Sequence, residues 1–219
     1  MSTMTGAVTD DEVADEWRRR AQRSGLRRVM RASQPDALND GVTARTREVV
    51  AGQLDIVAAR LGHRPHRALE IGCGIGRLTP TIAAHTGELL AVDMTQSMLA
   101  QARAACAHLS TVDFSCTRID RMTPPAQRFD AAVCVWVLMH VLDEEQLAAA
   151  CRTIAASTRY LTLIEYEQAN VPVSRWSRLR TIEEYLALLP GGHVVDEQVV
   201  DYGGDRSFAA LIGFEGSRR

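Results

Sequence analysis

The residues richest in chemistry lie in two short runs. In Leu69-Glu70-Ile71-Gly72-Cys73-Gly74-Ile75-Gly76 a carboxylate precedes three glycines at alternate positions. Glycines in a strand-to-helix turn let backbone N–H groups come close to a ligand, and the following helix adds its positive N-terminal end. In Leu89-Leu90-Ala91-Val92-Asp93 an apolar stretch ends in an acid 21 positions after Gly72, where a carboxylate can hold both hydroxyls of a ribose. Together the two runs imply a nucleoside cofactor. A dinucleotide fingerprint needs a glycine at position 77, and that residue is Arg77. Glu70, inside the turn, would repel a pyrophosphate but receive an ammonium group. The cofactor is therefore expected to be neutral or cationic where a dinucleotide is anionic.

These residues need a framework that brings strand ends together. From Arg67 onward short apolar runs alternate with Ala-rich helical stretches: RALEIG, then Leu78 to His85; ELLAVD, then Ser97 to Leu109; VDFSCT; FDAAVCVWVLMH, then Glu144 to Ala156; RYLTLIEY, then Thr181 to Leu189. Strands separated by helices imply right-handed crossovers and a parallel sheet. HVVDEQVVDY and SFAALIGF are separated by only Gly203 to Arg206, too short for a crossover, so they are expected to form an antiparallel hairpin at one sheet edge. Upstream, Thr9 to about Ala32 reads as one helix, acidic at its start and arginine-rich at its end as the helix dipole favours. A break is expected at Ser33-Gln34-Pro35 and Asn39-Asp40-Gly41, then a second helix over Thr43 to Leu61. Residues 1–62 are thus expected to be a helical cap on a core of residues 63–219, in one domain.

Composition narrows the chemistry further. All 25 basic residues counted as Lys+Arg are arginines, which excludes a Schiff-base lysine, lysine-anchored pyridoxal phosphate and a phosphate-loop lysine. Five cysteines stand singly, with no metal-ligand spacing and an odd total. They read as reduced thiols of a cytoplasmic protein, with no metal site. No apolar run reaches membrane-spanning length and the N-terminal stretch is acidic, so neither secretion nor a membrane anchor is expected. The formal net charge of -2 disfavours nucleic acid as a partner. The seven arginines from Arg18 to Arg31 read as a solvated helix face.

The ordered set Glu70-x-Gly72-Cys73-Gly74-x-Gly76, Val92-Asp93 followed by Met94, and Phe129-Asp130 opening a strand that runs to His140 resembles the class I S-adenosylmethionine-dependent methyltransferases over about Ala68 to Phe214. The resemblance implies a Rossmann-like α/β fold: a seven-stranded, mostly parallel, doubly wound sheet with its last strand antiparallel, beneath the N-terminal cap. It implies S-adenosylmethionine as cofactor. Glu70, Gly72, Cys73 and Gly74 would bracket its methionine part, Asp93 its ribose and Met94 one face of its adenine, while Cys134 and Val135 would line the sulfonium. The family commonly places an acid at the end of the third strand for the adenine amino group, but this position holds Arg118. Either Asp120 or the backbone of Ile119 would take over.

Methyl transfer from a sulfonium asks the protein mainly for alignment in a dry cavity. Where the acceptor needs deprotonation, His140 past the fourth strand is the candidate base, with Glu165 and Tyr166 after the fifth strand as alternatives. The acceptor pocket is expected between the cap and the Gln168 to Arg180 segment, with Trp17, Trp136 and Trp176 as its aromatic floor and Arg175, Arg178 and Arg180 available for an acceptor anion. The expected activity is methylation of a small molecule, on oxygen and in specialised metabolism, by a monomer or homodimer. N- or C-methylation, a non-methylating reaction assisted by the cofactor, and a non-catalytic cofactor-binding subunit are the alternatives.

Overall fold

The computed structural model describes residues 8–170, 173–201 and 204–214. Its strands are β1 (Arg67–Ile71), β2 (Glu88–Asp93), β3 (Val112–Cys116), β4 (Phe129–Val135), β5 (Thr158–Gln168), β6 (Gly192–Asp201) and β7 (Arg206–Phe214). They form one sheet in the order β3-β2-β1-β4-β5-β7-β6. β1 to β5 pair in parallel, whereas β7 runs antiparallel to both β5 and β6. The hairpin thus forms as expected, with its later strand placed inside the sheet. Strand order reverses between β1 and β4, and the crevice beyond their C-terminal ends is where such sheets bind ligands.

Alternation along the strands divides the core between the two faces of the sheet. Ala68, Ala131, Val133 and Leu211 face α2 (Asp36–Leu61) and α3 (Thr79–His85), where Val50, Leu54 and Ile82 meet them. Leu69, Ala132, Cys134 and Ile212 face α5 (Glu144–Ser157) and α6 (Ile182–Leu188), where Leu147, Ile154 and Tyr185 meet them. Each large apolar side chain fully buried here contributes roughly 1.5–3 kcal/mol over its exposed state. α4 (Gln96–Ala105) places Leu99 against Ala91 and Cys73, behind the glycine run.

The N-terminal elements depart from expectation in three ways. α1 ends early, at Asp10–Arg20, and a separate 3-10 turn spans Gly25–Arg28, because Ser24 is extended between them. α2 starts at Asp36 and runs through Asn39-Asp40-Gly41, expected as a break. Asn39 is fully buried and donates through Nδ2 to the Arg31 carbonyl at 3.4 Å, so a long-range contact outweighs its local turn preference. The arginines are mostly spent on ion pairs or carbonyls: Arg19, Arg20 and Arg23 meet Glu16, Arg27 meets Asp36, and Arg31 meets buried Asp205 at 2.7 Å.

Further on, β4 ends at Val135, five residues before His140. Trp136, with φ +54, turns the chain out of the sheet into a 3-10 turn over Leu138–His140. Left-handed backbone is strained for a bulky residue; here it is held by the Trp136 N–H donating to the Ile164 carbonyl at 2.8 Å. Among the described residues no helix is long and apolar enough to cross a membrane. Tyr202 and Gly203 of the expected hairpin, Val171 and Pro172 of the 168–180 segment, and the ends of the 1–62 and 63–219 spans lie outside the described residues.

Candidate active site

A cavity opens over the C-terminal ends of β1, β2 and β4 and is closed from above by the N-terminal segment. Its floor is the turn after β1. Gly72 has φ +68 and Gly74 φ +55, and a Cβ on either would strike Val137 or Val29 respectively. Only glycine fits both the left-handed backbone and the space. α3 begins only at Thr79, so Gly76, Arg77 and Leu78 separate turn from helix. Instead of an open helix end, the start of α3 supplies the Thr79 hydroxyl, which donates to Glu70 Oε2 at 2.6 Å.

Glu70 sits in mid-sheet, in register with Ala91 on β2 and Val133 on β4, and is buried. Burial raises its pKa to about 8, against the opposing effects of the Thr79 bond and the Arg77 charge. An apolar surround disfavours the carboxylate until a cation arrives to compensate it. Asp93 ends β2 and accepts from the Gly74 N–H at 2.9 Å and the Thr95 N–H at 2.8 Å, one bond to each oxygen. Burial pushes its pKa up, and these two N–H donors hold it down. The bonds fix the carboxylate while leaving a lone pair on each oxygen for a ligand. Met94 lines the wall beside it.

At one end of the cavity, past β3, Arg118, buried Ile119 and Asp120 come together with Gln146 of α5. Arg118 holds the Asp120 carboxylate with two N–H groups, at 2.9 and 3.1 Å. Cys116 ends β3 here, exposed, with Sγ 3.7 Å from the Met94 carbonyl; the other four cysteines are buried and all five are unpaired. At the opposite end, Val13, Trp17 and Val29 of the N-terminal segment face Val135, Trp136 and His140.

His140 lines this second end, with its ring edge to face against Trp17 at 4.8 Å between centroids. Its Nδ1 lies 2.7 Å from the Trp176 carbonyl, a partner that can only accept, so Nδ1 carries the proton and Nε2 keeps its lone pair. Burial lowers the His140 pKa to about 4, against the Trp176 bond and with the help of the Arg20 charge. The ring is therefore neutral near pH 7.

Other expected residues lie elsewhere. Glu165 is fully buried and does not line the cavity. Its carboxylate accepts from the backbone N–H groups of Val137, Leu138 and Met139 at 3.0, 2.7 and 3.4 Å, so it shapes the turn that carries His140. Tyr166 stacks on Trp136, 5.1 Å between centroids and 9° between planes, behind the cavity wall. Cys134 points to the α5 face of the sheet and is fully buried there. Trp176 offers its carbonyl to the site but not its ring, and none of the described residues from 168 to 180 lines the cavity. Arg175 pairs with Glu12 at 2.7 Å, while Arg178 and Arg180 both pair with Glu144, so this cluster ties the segment to α1 and α5. Arg77 and Gln146 also line the cavity, though neither stood out as a site residue in the sequence. Gln146 had a signal: Asp143 caps α5 and Gln146 follows three residues later, as in a capping box, yet its side-chain oxygen goes to Arg118 at 2.6 Å.

A family model for the methyltransferase domain matches residues 68–160, from β1 to the start of β5 and so across the glycine turn, Asp93 and the His140 turn. The matched stretch is a methyltransferase domain, consistent with the class I S-adenosylmethionine-dependent methyltransferases that the sequence resembles. S-adenosylmethionine is the cofactor of this family. The glycine cradle, the buried carboxylate awaiting a cation and the half-committed Asp93 fit it. The chain is 30% identical over 105 residues to the ubiquinone biosynthesis O-methyltransferase of Hahella chejuensis, a match spanning 47% of this chain and 44% of that one. It spans less than half the length of the curated relatives that head the comparison. Among solved structures, the N-methyltransferase NodS from Bradyrhizobium japonicum WM9, in complex with S-adenosyl-L-homocysteine, superposes with a TM-score of 0.69 at 19% identity, covering 92% of this chain and 98% of that one. The [4+2]-cyclase SpnF superposes at 0.59 with 20% identity, over 75% of this chain and 81% of that one. At these identities the likeness is one of fold.

Proposed function

We propose that this methyltransferase moves the methyl group of S-adenosylmethionine to a hydroxyl of a small molecule, in the cytoplasm and in specialised metabolism. The observation that carries the reading is His140: a neutral imidazole at the cavity wall, with Nδ1–H tied to a carbonyl and Nε2 able to take a proton. When bound, the cofactor supplies an electrophilic methyl. The chain supplies the rest. Glu70 meets the ammonium, the Gly72-Cys73-Gly74 backbone cradles the amino-acid end, Asp93 holds the ribose and Met94 covers the adenine. Val135 would stand beside the sulfonium, and Trp17 and Trp136 would exclude water from the acceptor end of the cavity. Nε2 of His140 takes the acceptor proton as the methyl passes from sulfur to oxygen; burial keeps this base weak, so its effect is set at the low end of the roughly 10²–10⁴-fold a positioned base supplies.

Incubation with cofactor carrying a deuterated methyl, over a panel of phenols, catechols and aliphatic alcohols, is expected to give an O-linked labelled methyl by mass spectrometry. His140→Ala is expected to lower that rate by about a hundredfold or more with cofactor affinity unchanged. A product formed without label, with cofactor unconsumed, would overturn methyl transfer; undiminished turnover by His140→Ala would overturn the base.

A further inference from the structure

The arginines expected to meet an acceptor anion are held by Glu12 and Glu144, away from the cavity. The cavity has an arginine of its own. Arg77 follows the glycine turn, is only 9% exposed, and lines the cavity together with Trp17, Val135, Trp136 and His140. Two contacts fix it. From α2, Arg47 donates to the Arg77 carbonyl through Nε at 3.1 Å and Nη2 at 2.8 Å, which holds the backbone. The guanidinium lies over the Trp136 ring, with Cζ 5.0 Å from its centroid. Trp136 is held in turn by its stack with Tyr166 and by its indole N–H, which donates to Ser207 Oγ at 3.4 Å. A cation laid on a rigid aromatic ring is oriented before any ligand arrives.

Its surroundings are otherwise uncharged. Val13, Trp17, Val29, Val135 and Trp136 are apolar, and His140 is neutral near pH 7. Among the described residues that line this end, Arg77 is the charged one. Its charge also bears on Glu70, whose carboxylate answers the ligand ammonium once that arrives. A cation in an apolar cavity attracts an anion far more strongly than one in water does. A guanidinium carries five N–H groups in a planar fork, so it can grip a carboxylate with two of them while keeping other partners. An acceptor gripped in this way is anchored at its acid group, which leaves its hydroxyl to be presented to His140.

We infer that Arg77 is a specificity-determining residue that selects acceptors bearing a carboxylate, so that the substrate class is a hydroxy acid rather than a neutral phenol or alcohol. The inference rests on the O-methylation reading, and the test separates the two by measuring binding in place of turnover. Calorimetry on the full chain saturated with S-adenosylhomocysteine would titrate 2-, 3- and 4-hydroxybenzoate, each against its primary amide. At least one acid is expected to bind about tenfold or more tightly than its amide, as a charge-assisted pair allows. Arg77→Met is expected to abolish that preference by weakening the acid alone. If no acid is favoured over its amide, or Arg77→Met weakens acid and amide equally, the inference fails; should Arg77→Met not fold, the wild-type ratios decide. The cofactor's own carboxylate is the rival occupant. If Arg77→Met weakens S-adenosylhomocysteine but not its decarboxylated analogue, Arg77 serves the cofactor and the inference is overturned. A labelled methyl found only on neutral phenols would leave O-methylation standing and overturn this inference alone. Failure to bind S-adenosylhomocysteine removes the cofactor reading and the inference with it.

Discussion

Glu70 shows how one residue ties site electrostatics to ligand binding. With its pKa raised to about 8 by burial, it holds a proton at pH 7 in the ligand-free protein. A ligand ammonium favours the carboxylate and expels that proton. Calorimetry of S-adenosylhomocysteine binding at pH 7, in buffers of different ionisation enthalpy, is expected to show release of close to one proton. The release is expected to vanish above about pH 9 and in Glu70→Gln, and affinity to rise with pH up to about 8. Unchanged proton release in Glu70→Gln would assign the event to another group. Glu70 and Asp93 could be picked out from sequence because chemistry and spacing there are local. Glu165 could not be told from a catalytic acid: its three backbone partners lie 26 to 28 residues upstream, and no local pattern reveals them.

Among the elements, the same residue type has opposite effects in two places. Gly72 is left-handed at +68° and faces Val137, so Gly72→Ala is expected to cost at least about 1–2 kcal/mol from backbone strain alone and to weaken cofactor binding. Gly41 lies inside α2 with open space where a Cβ would stand. Gly41→Ala is therefore expected to stabilise the chain by about 0.5–1 kcal/mol. Thermal melts of both variants check the pair, and the signs must differ. The Gly41 result bears on how elements are read from composition. Asn39-Asp40-Gly41 has the texture of a turn, but burial of Asn39 and its bond to the Arg31 carbonyl carry the helix through. The strand–helix alternation from Arg67 onward was legible because the central strands β1, β4, β5 and β7 bury both faces and read as apolar runs between helices that keep their period. The end of β4 was not, since Val-Trp-Val-Leu-Met is apolar throughout and the exit at Trp136 is fixed by Glu165 and Ile164 on the neighbouring strand.

For the whole molecule, buried titratable groups give stability a distinctive pH profile. Glu70 and Glu165 keep their protons to about pH 8 in the folded chain, whereas unfolded carboxylates release theirs near 4.5. The native state thus binds more protons across that interval, and stability falls as pH rises through it. His140 acts oppositely between about 4 and 6.5, where the native state binds fewer protons; above 6.5 the buried carboxylates set the slope, Asp93 acting in the same direction as Glu70 and Glu165. The melting temperature of the ligand-free protein is expected to fall from pH 6.5 to 8, and Glu165→Gln to remove about half of that fall. A slope unchanged in Glu165→Gln would show that its proton does not take part. The exposed thiol at the end of β3 has a practical consequence of another kind. With no lysine in the chain and the other four thiols buried, a maleimide dye has Cys116 as its single favoured address. That address adjoins Met94, which lines the cavity beside Asp93, so a dye placed there is expected to change its emission when the pocket fills.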